Sequence, residues 1–428
     1  MSSVQQRAGA GTAAYQPLPG RYVTPEAVRR FTLLAEAITA AYEPTATQLQ
    51  TLERAYGATG EYLATCPEFD GLLTAVHAHG SRQLGTIVRP MDKQRSGFDI
   101  DLVVRLARAA MFRYQGEDGV AKLLQHLHQA LSRYAERHGL AIKRWERCVT
   151  LTYADGMCAD FAPVIDDPLH AVDRGEHHGR IPDREARQYL STNPKGYCLA
   201  FDEVARISPM LRSIATFDSV ENAKRAEVEP LPDAAQVMGR LLCRAVQLAK
   251  VHRNVMFGAF AGGDRLAPTS VFLTSLMAKA YAIEARLPHD GPLDLLLDML
   301  ARLPTLFERQ FDGRGERWVL LNPCAQRDNL AESMNTQERQ AAFRQWHGKF
   351  MADLEELTVR ADGAGGLSAV VKSVERSFGE RASQAVLQRG AQQREDYRAL
   401  GKAGFVVAGT MPVVAKARSH TYFGGRVK

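Results

Sequence analysis

Two aspartates at i and i+2 in GFDIDLVVRL, residues 97 to 106, have the spacing best suited to chemistry. Side chains alternate faces along a strand, so Phe98, Ile100, Leu102, Val104 and Leu106 share the core side while Asp99 and Asp101 share the other. At ~3.3 Å per residue the two acids lie about 6.6 Å apart along the chain, and their carboxylates can converge on divalent ions ~3.5–4 Å apart. A third acid, Asp160, sits inside the apolar run MCADFAPVI, where a carboxylate is costly unless a cation compensates it. Asp155, before Gly156, reads as a turn residue, and Asp166 and Asp167 as a strand end. The expected centre is therefore a pair of Mg²⁺ (or Mn²⁺) ions held by Asp99, Asp101 and Asp160.

Just upstream lies HGSRQLGTIVRP, residues 79 to 90. Gly80 to Gly85 has the glycine spacing of a Walker A loop, yet Thr86 and Ile87 follow where Lys and Ser or Thr are required, which argues against a P-loop ATPase. Small residues after a strand still let backbone N–H groups and the Ser81 hydroxyl approach phosphate oxygens. Other polar residues carry weaker signals. His126 and His128 are two apart on a helix and make a poor metal pair. His177 and His178 read as solvated loop residues, and His79 as a strand-end histidine. The six cysteines are scattered without a CxxC pair, which disfavours both a structural zinc site and a disulfide framework.

Short β-rich runs must position these residues: Thr74 to Ala78, Phe98 to Leu106, Leu140 to Trp145, Cys148 to Tyr153 and Met157 to Val164. A helix from about Glu117 to His138 interrupts them, and the close spacing of the last three strands predicts an antiparallel meander in a mixed sheet. Before the sheet, Thr24-Pro25-Glu26 reads as a helix start running to about Tyr42, and a second helix spans about Thr47 to Ala64. After it, helical periodicity marks 234 to 254, 270 to 286, 292 to 309, 336 to 358 and 366 to 393. The expected organisation is a disordered tail (1–22), a sheet-bearing core with N-terminal helices (23–220), a helical lobe (221–393) and a basic tail (394–428), with Pro230, Pro232 and ENAKRAEVE as a linker.

The chain has 428 residues, 45% of them hydrophobic and 24% charged, an ordinary globular composition. No run approaches the ~20 apolar residues of a membrane span, and the first twenty residues lack the apolar run of a secretory signal, so a cytoplasmic protein is expected. Of the net charge of +6, most falls at the end, where seven basic residues face two acidic ones between Arg394 and Lys428. A polyanionic ligand is permitted, and a long nucleic acid is not required.

The order G-S-x(3)-G-T, then h-D-h-D-L, then a third Asp on a later strand is similar to the polymerase-β-like nucleotidyltransferases. More narrowly it resembles the CD-NTases, the cGAS/DncV-like enzymes, because STNPKGY (191–197), RAVQLAKVHRNVMF (244–257), APTSVFLTSLMAKAY (267–281) and LNPCAQRDNLAES (321–333) look like that family's later segments in the same order. The resemblance covers roughly residues 25 to 335. It implies an α+β fold: a nucleotidyltransferase core of mixed sheet and flanking helices packed on a C-terminal helical lobe, with the active site in the cleft between. It implies that Gly80 and Ser81 hold the donor triphosphate, that Asp99, Asp101 and Asp160 are catalytic metal ligands, and that Lys250 and Ser270 reach the phosphates. Tyr197, with Asn193 and Lys195, is a candidate for base recognition. The implied activity is synthesis of a cyclic di- or trinucleotide messenger from nucleoside triphosphates, purines favoured, in bacterial anti-phage (CBASS) signalling. A monomer, a separate effector that reads the signal and C-terminal conjugation machinery are the implied partners. Two alternatives stay open: a nucleotidyltransferase that adds nucleotides to RNA or protein, and a silent nucleotide-binding scaffold.

Overall fold

A seven-stranded mixed sheet forms the frame on which the acids sit. The computed structural model describes residues 25–90, 97–153, 156–170, 177–211, 241–311, 313, 315–361, 366–399, 402–403 and 415–416. The expected tail 1–22, the helix-start residue Thr24, the turn residue Asp155, the linker around ENAKRAEVE and Gly424-Gly425 lie outside the described residues. Contacts group the described residues into two units, one within Glu43–His347 and the other made of those in 25–42 and from Gly348 onward.

In the first unit the sheet runs β1 (Leu73–His79), β2 (Asp99–Leu106), β5 (Cys158–Asp166), β4 (Val149–Thr152), β3 (Ala141–Arg144), with β6 (Gly179–Asp183) on β5 and β7 (Gln188–Thr192) on β6. The β3–β4–β5 meander is antiparallel as the short spacings require, while β2 and β5 pair in parallel. A parallel pair needs a crossover, and the chain between them carries the helix α5 (Gly116–His138). Its apolar stripe, Leu123, Leu127, Ala130, Leu131, Tyr134 and Ala135, packs into the same core as Ile100, Leu102, Val104 and Leu106 of β2. Burial of that stripe, at about 25 cal/mol per Å² of apolar area, outweighs the modest helix propensity of a segment that begins with two glycines in four residues. Helix α2 (Ala46–Ala64) closes the core from outside through Leu52 and Leu63, and a capping box between Thr45 and Gln48 starts it.

Strands β6 and β7 and the following helix α6 (Pro194–Ala205) were not anticipated by the hydrophobic pattern. Their residues alternate weakly, and His178, expected in solvent, is instead 2% exposed, with Nε2 2.7 Å from Ser191 Oγ. Pairing of β6 with β7 in register Arg180↔Ser191 brings the two together.

The helical part of this unit comprises α7 (Leu241–Gly258), α8 (Gly263–Leu266), α9 (Ser270–Glu284) and α10 (Pro292–Arg302). Its core is an aromatic cluster of Phe272, Phe307, Trp318 and Phe343, with Phe307 and Trp318 ring centroids 4.4 Å apart. The helix expected over 292 to 309 ends at Arg302 because Pro304 cannot donate to a continuing ladder, and a hairpin of β8 (Glu308–Phe311) and β9 (Glu316–Val319) follows. A smaller hairpin pairs β10 (Leu321–Asn322) with β11 (Ala325–Asn329).

In the second unit α1 (Pro25–Ala40) packs with α12 (Gly366–Phe378), α13 (Glu380–Ala399) and the end of α11 (Gln337–Ala361). The Tyr42 hydroxyl donates to the Phe378 carbonyl at 2.6 Å, and Arg30 donates to the Ala361 carbonyl at 2.8 Å. One long helix expected over 366 to 393 is two, broken at Gly379, whose φ of +85° is the left-handed region that favours glycine.

Candidate active site

Asp101 stands directly opposite Asp160 in the parallel β2–β5 register, and opposite His79 in the antiparallel β1–β2 register. Cross-strand partners point to one face of a sheet, so two acids from separate strands face the same side. Asp99, two residues earlier on β2, shares it and is exposed, whereas Asp101 and Asp160 are partly buried. The three acids line a cavity of about 1000 Å³, together with Gly80, Ser81, Tyr197, Lys250 and Ser270. Of the candidate metal- and nucleotide-binding residues, all but Lys195 therefore open onto one cavity, bounded by the sheet on one side and by α7 and α9 on the other.

Gly80 begins a single helical turn, α3 (Gly80–Gln83), with φ of +61°. A Cβ built there would lie 1.9 Å from Asp101 Oδ2. Glycine is thus required twice, by the backbone and by the carboxylate pressed against it. The turn is stabilised by the Thr86 N–H donating to the Ser81 carbonyl at 2.9 Å, leaving the Ser81 side chain on the cavity wall.

Lys250 is 2% exposed, not on a solvated helix face, and its Nζ donates to the Thr86 carbonyl at 3.1 Å and to the Thr86 hydroxyl at 3.2 Å. Burial lowers its pKa to about 7, Arg253 pushes the same way, and Asp101 opposes both. Gln247, one turn earlier, donates to the Ile87 carbonyl at 3.2 Å, and Cys243 Sγ to the Leu84 carbonyl at 3.4 Å, so α7 holds the 84–87 segment by three side chains. Ser270 is the first residue of α9 rather than its cap, a position Thr269 takes, and Ser270 Oγ accepts from Arg253 at 3.1 Å. The Thr269 hydroxyl is buried without a hydrogen-bond partner at this helix N-terminus, where backbone N–H groups favour an anion.

Comparisons with known proteins agree on this architecture. The profile of the Second Messenger Oligonucleotide or Dinucleotide Synthetase domain matches residues 28–204. The cyclic dinucleotide synthase CdnG of Bradyrhizobium diazoefficiens is 24% identical over 382 residues, covering 83% of this chain and 85% of that protein. The structure of that CdnG in complex with GTP superposes with a TM-score of 0.58 at 19% identity, over 83% of this chain and 96% of the other. The Escherichia coli MS115-1 CdnC structure with ATP gives 0.52 at 15%, over 82% and 97%. Residues 28–204 thus match that synthetase domain, and over most of its length the chain is similar in fold to CD-NTase enzymes.

Burial dominates the electrostatics of the carboxylate group. Desolvation raises the Asp101 pKa to about 6, with Asp160 and then Asp99 adding repulsion and Lys250 partly relieving it. Three oxygen-only side chains short of positive charge are the donor set that hard divalent cations prefer, so the residues present fit such ions. His79 is held neutral, its pKa lowered to about 4 by burial with His77 contributing, and its Nδ1 lies 3.5 Å from Cys198 Sγ.

Several residues of the site were not foreseen. The Thr150 hydroxyl donates to Asp160 Oδ1 while accepting from Trp145 Nε1 at 2.8 Å. Indole nitrogen only donates, so the single hydroxyl proton of Thr150 is directed to Asp160. Arg253, Asn254, Asp328 and Arg339 also line the cavity. Burial lowers the Arg253 pKa to about 10, opposed by Asp264. The Thr150↔Asp160 pairing depends on a register between β4 and β5 that the sequence does not reveal. Tyr197 is 9% exposed, and its hydroxyl lies 2.8 Å from Ser275 Oγ, which ties α6 to α9. Asn193 caps α6 by accepting from the Gly196 N–H at 2.9 Å, and Lys195 is exposed.

Proposed function

We propose that this chain condenses nucleoside triphosphates into a cyclic di- or trinucleotide second messenger, with two divalent ions, Mg²⁺ or Mn²⁺, held by Asp99, Asp101 and Asp160. The observation that carries the reading is the side-by-side placement of Asp101 and Asp160 on adjacent parallel strands, at the wall of a cavity of about 1000 Å³. That volume is at the upper end of the ~300–1,000 Å³ typical of small-molecule sites and suits a donor and an acceptor nucleotide together.

In each condensation a ribose hydroxyl oxygen attacks the α-phosphorus of a bound triphosphate. A new P–O bond forms, the bond to the β-phosphate oxygen breaks, and pyrophosphate departs. When bound, the ions supply acidification of the attacking hydroxyl and neutralisation of charge on the leaving group. The chain positions and neutralises the rest. Ser81 and the backbone of the Gly80 turn face the donor phosphates, Lys250 contributes positive charge from beneath, and Ser270 with the α9 N-terminus meets the phosphate tail. Asp160, oriented by Thr150, takes the hydroxyl proton. Ring closure repeats the same displacement on a linear intermediate that has turned round in the cavity. The purine preference, the effector that reads the product in CBASS defence and C-terminal conjugation are carried over from the family resemblance as parts of this proposal.

Purified protein incubated with labelled triphosphates and Mg²⁺ or Mn²⁺ tests it. The expected result is a phosphatase-resistant product whose mass matches a cyclic di- or trinucleotide, absent when Asp99 and Asp101 are replaced by Ala. Label found only in linear oligonucleotides, or fixed to RNA or protein, overturns the proposal in favour of a tailing enzyme.

A further inference from the structure

Away from the cavity, Glu284 at the end of α9, His289 in the following loop and Asp298 on α10 each bring one ligand atom to within 4.8 Å of the others. His289 Nε2 lies 3.4 Å from Glu284 Oε2 and 3.3 Å from Asp298 Oδ2. An imidazolium donating to a single carboxylate closes to about 2.7–2.9 Å; here Nε2 stands at longer, nearly equal distances from two acids. These distances match another geometry. Ligands at about 2.0–2.2 Å from a tetrahedral ion are themselves about 3.3–3.6 Å apart.

The other ring nitrogen gives an independent indication. His289 Nδ1 lies 2.8 Å from the Leu287 carbonyl, and a carbonyl only accepts, so Nδ1 carries a proton. Nε2 is then the ring atom directed at the two carboxylates, which with the carbonyl outweigh burial and hold the ring's pKa raised. A bound ion would displace the Nε2 proton, with the backbone carbonyl orienting the ring as it does a metal-binding histidine. Arg302 pairs with Glu284 through Oε1, leaving Oε2 toward His289. Glu284 is 1% exposed and His289 3%, so little water competes for these ligand atoms.

We propose that Glu284, His289 and Asp298 form a structural site for one divalent transition-metal ion of the zinc class, with water completing the coordination. The mixed nitrogen and oxygen donors distinguish it from the all-oxygen carboxylate group of the cavity. The ion ties the C-terminal end of α9 to α10 across the loop 285–291, and so fixes a helix whose N-terminal residue, Ser270, lines the cavity. A reading keyed to cysteine pairs does not detect such a site.

The test uses the full chain stripped with EDTA, exposed to excess Zn²⁺, passed through a desalting column and assayed for metal by mass spectrometry and for melting temperature. An Asp101→Ala chain, which disables the cavity's carboxylates, serves as the background. The expected result is about one zinc per chain in that background and a rise in melting temperature of several degrees on adding Zn²⁺ but not Mg²⁺. Both effects disappear on adding His289→Gln, or Asp298→Asn should the histidine variant not fold. Zinc retention unchanged by either substitution overturns the proposal. So does an Asp101→Ala chain that retains no zinc and melts identically with and without EDTA, which assigns the three side chains to an ion-pair network.

Discussion

Asp101→Asn should stabilise the metal-free protein while abolishing its activity. Asp101 is the acid most confined by its surroundings: Asp160 stands beside it on β5, Gly80 abuts its Oδ2, and its pKa is raised from 3.8 to about 6. An acid whose folded pKa exceeds its unfolded one binds more protons in the folded state between those values. Stability therefore falls as pH rises through roughly 4 to 6 and stays lower above that window. A shift of about two units at 1.36 kcal/mol each corresponds to about 3 kcal/mol. Asparagine removes the charge but leaves a buried amide to satisfy, so a net gain of about 1–3 kcal/mol is expected. For a protein of this size that is a few degrees in melting temperature. The assay is thermal unfolding of wild type and variant in EDTA at pH 8 and pH 4.5, then at pH 8 with Mg²⁺. The variant should melt higher in EDTA at pH 8, and the gap should shrink at pH 4.5. Mg²⁺ should raise the wild type alone, and product formation by the variant should fall by at least ~10³-fold. A variant no more stable than wild type in EDTA at pH 8, or a gap independent of pH, refutes the reasoning.

Other substitutions probe the surroundings. Thr150→Val removes the donor to Asp160 and strands the Trp145 N–H; about 1–2 kcal/mol of stability and ~10-fold in kcat should be lost, read by denaturant unfolding and steady-state synthesis. Gly80→Ala forces alanine into a left-handed conformation costing about 1–2 kcal/mol and pushes the Asp101 carboxylate aside. Displacement of that order should cost ~100-fold in kcat, and Mg²⁺ should no longer raise the melting temperature. Lys250, with its pKa lowered to about 7 by burial, is largely neutral at pH 8 in the free protein and is charged beside a triphosphate. Calorimetric titration with a non-hydrolysable triphosphate in buffers of different ionisation enthalpy should thus show proton uptake approaching one at pH 8 and little at pH 6. A Lys250→Met chain should show none from this group and should bind more weakly.

The carboxylate group was legible because the strand period is rigid. Once Phe98, Ile100, Leu102 and Leu106 are assigned to the core, Asp99 and Asp101 have one face left, and the structure gives them that face. The pairing of Asp160 with Asp101 was inferable only as an electrostatic need, since nothing local states that β5 lies parallel to β2. Strands β6 and β7 escaped notice because each is five residues long and lacks a clear alternation. Thr150 escaped because a threonine in a β-rich run carries no signal until its register with Asp160 is known. The burial of Lys250 and His178 likewise depends on which segment covers them, and partners distant in sequence decide that. Helix ends were legible at Pro25 and at His138, before left-handed Gly139, and were overrun at Arg302 and at Gly379, where the apolar period continues past the proline and the glycine that set them.

Parallel pairing of β2 with β5 also governs when this centre can exist. Antiparallel neighbours can zip as they leave the ribosome, but Asp101 must wait while α5, β3 and β4 are made before Asp160 arrives, and Lys250 and Ser270 follow later still. A chain interrupted before α9 lacks Ser270 and so holds an incomplete set of the groups that line the cavity. On the function proposed above, strand order by itself would keep unfinished copies from making product.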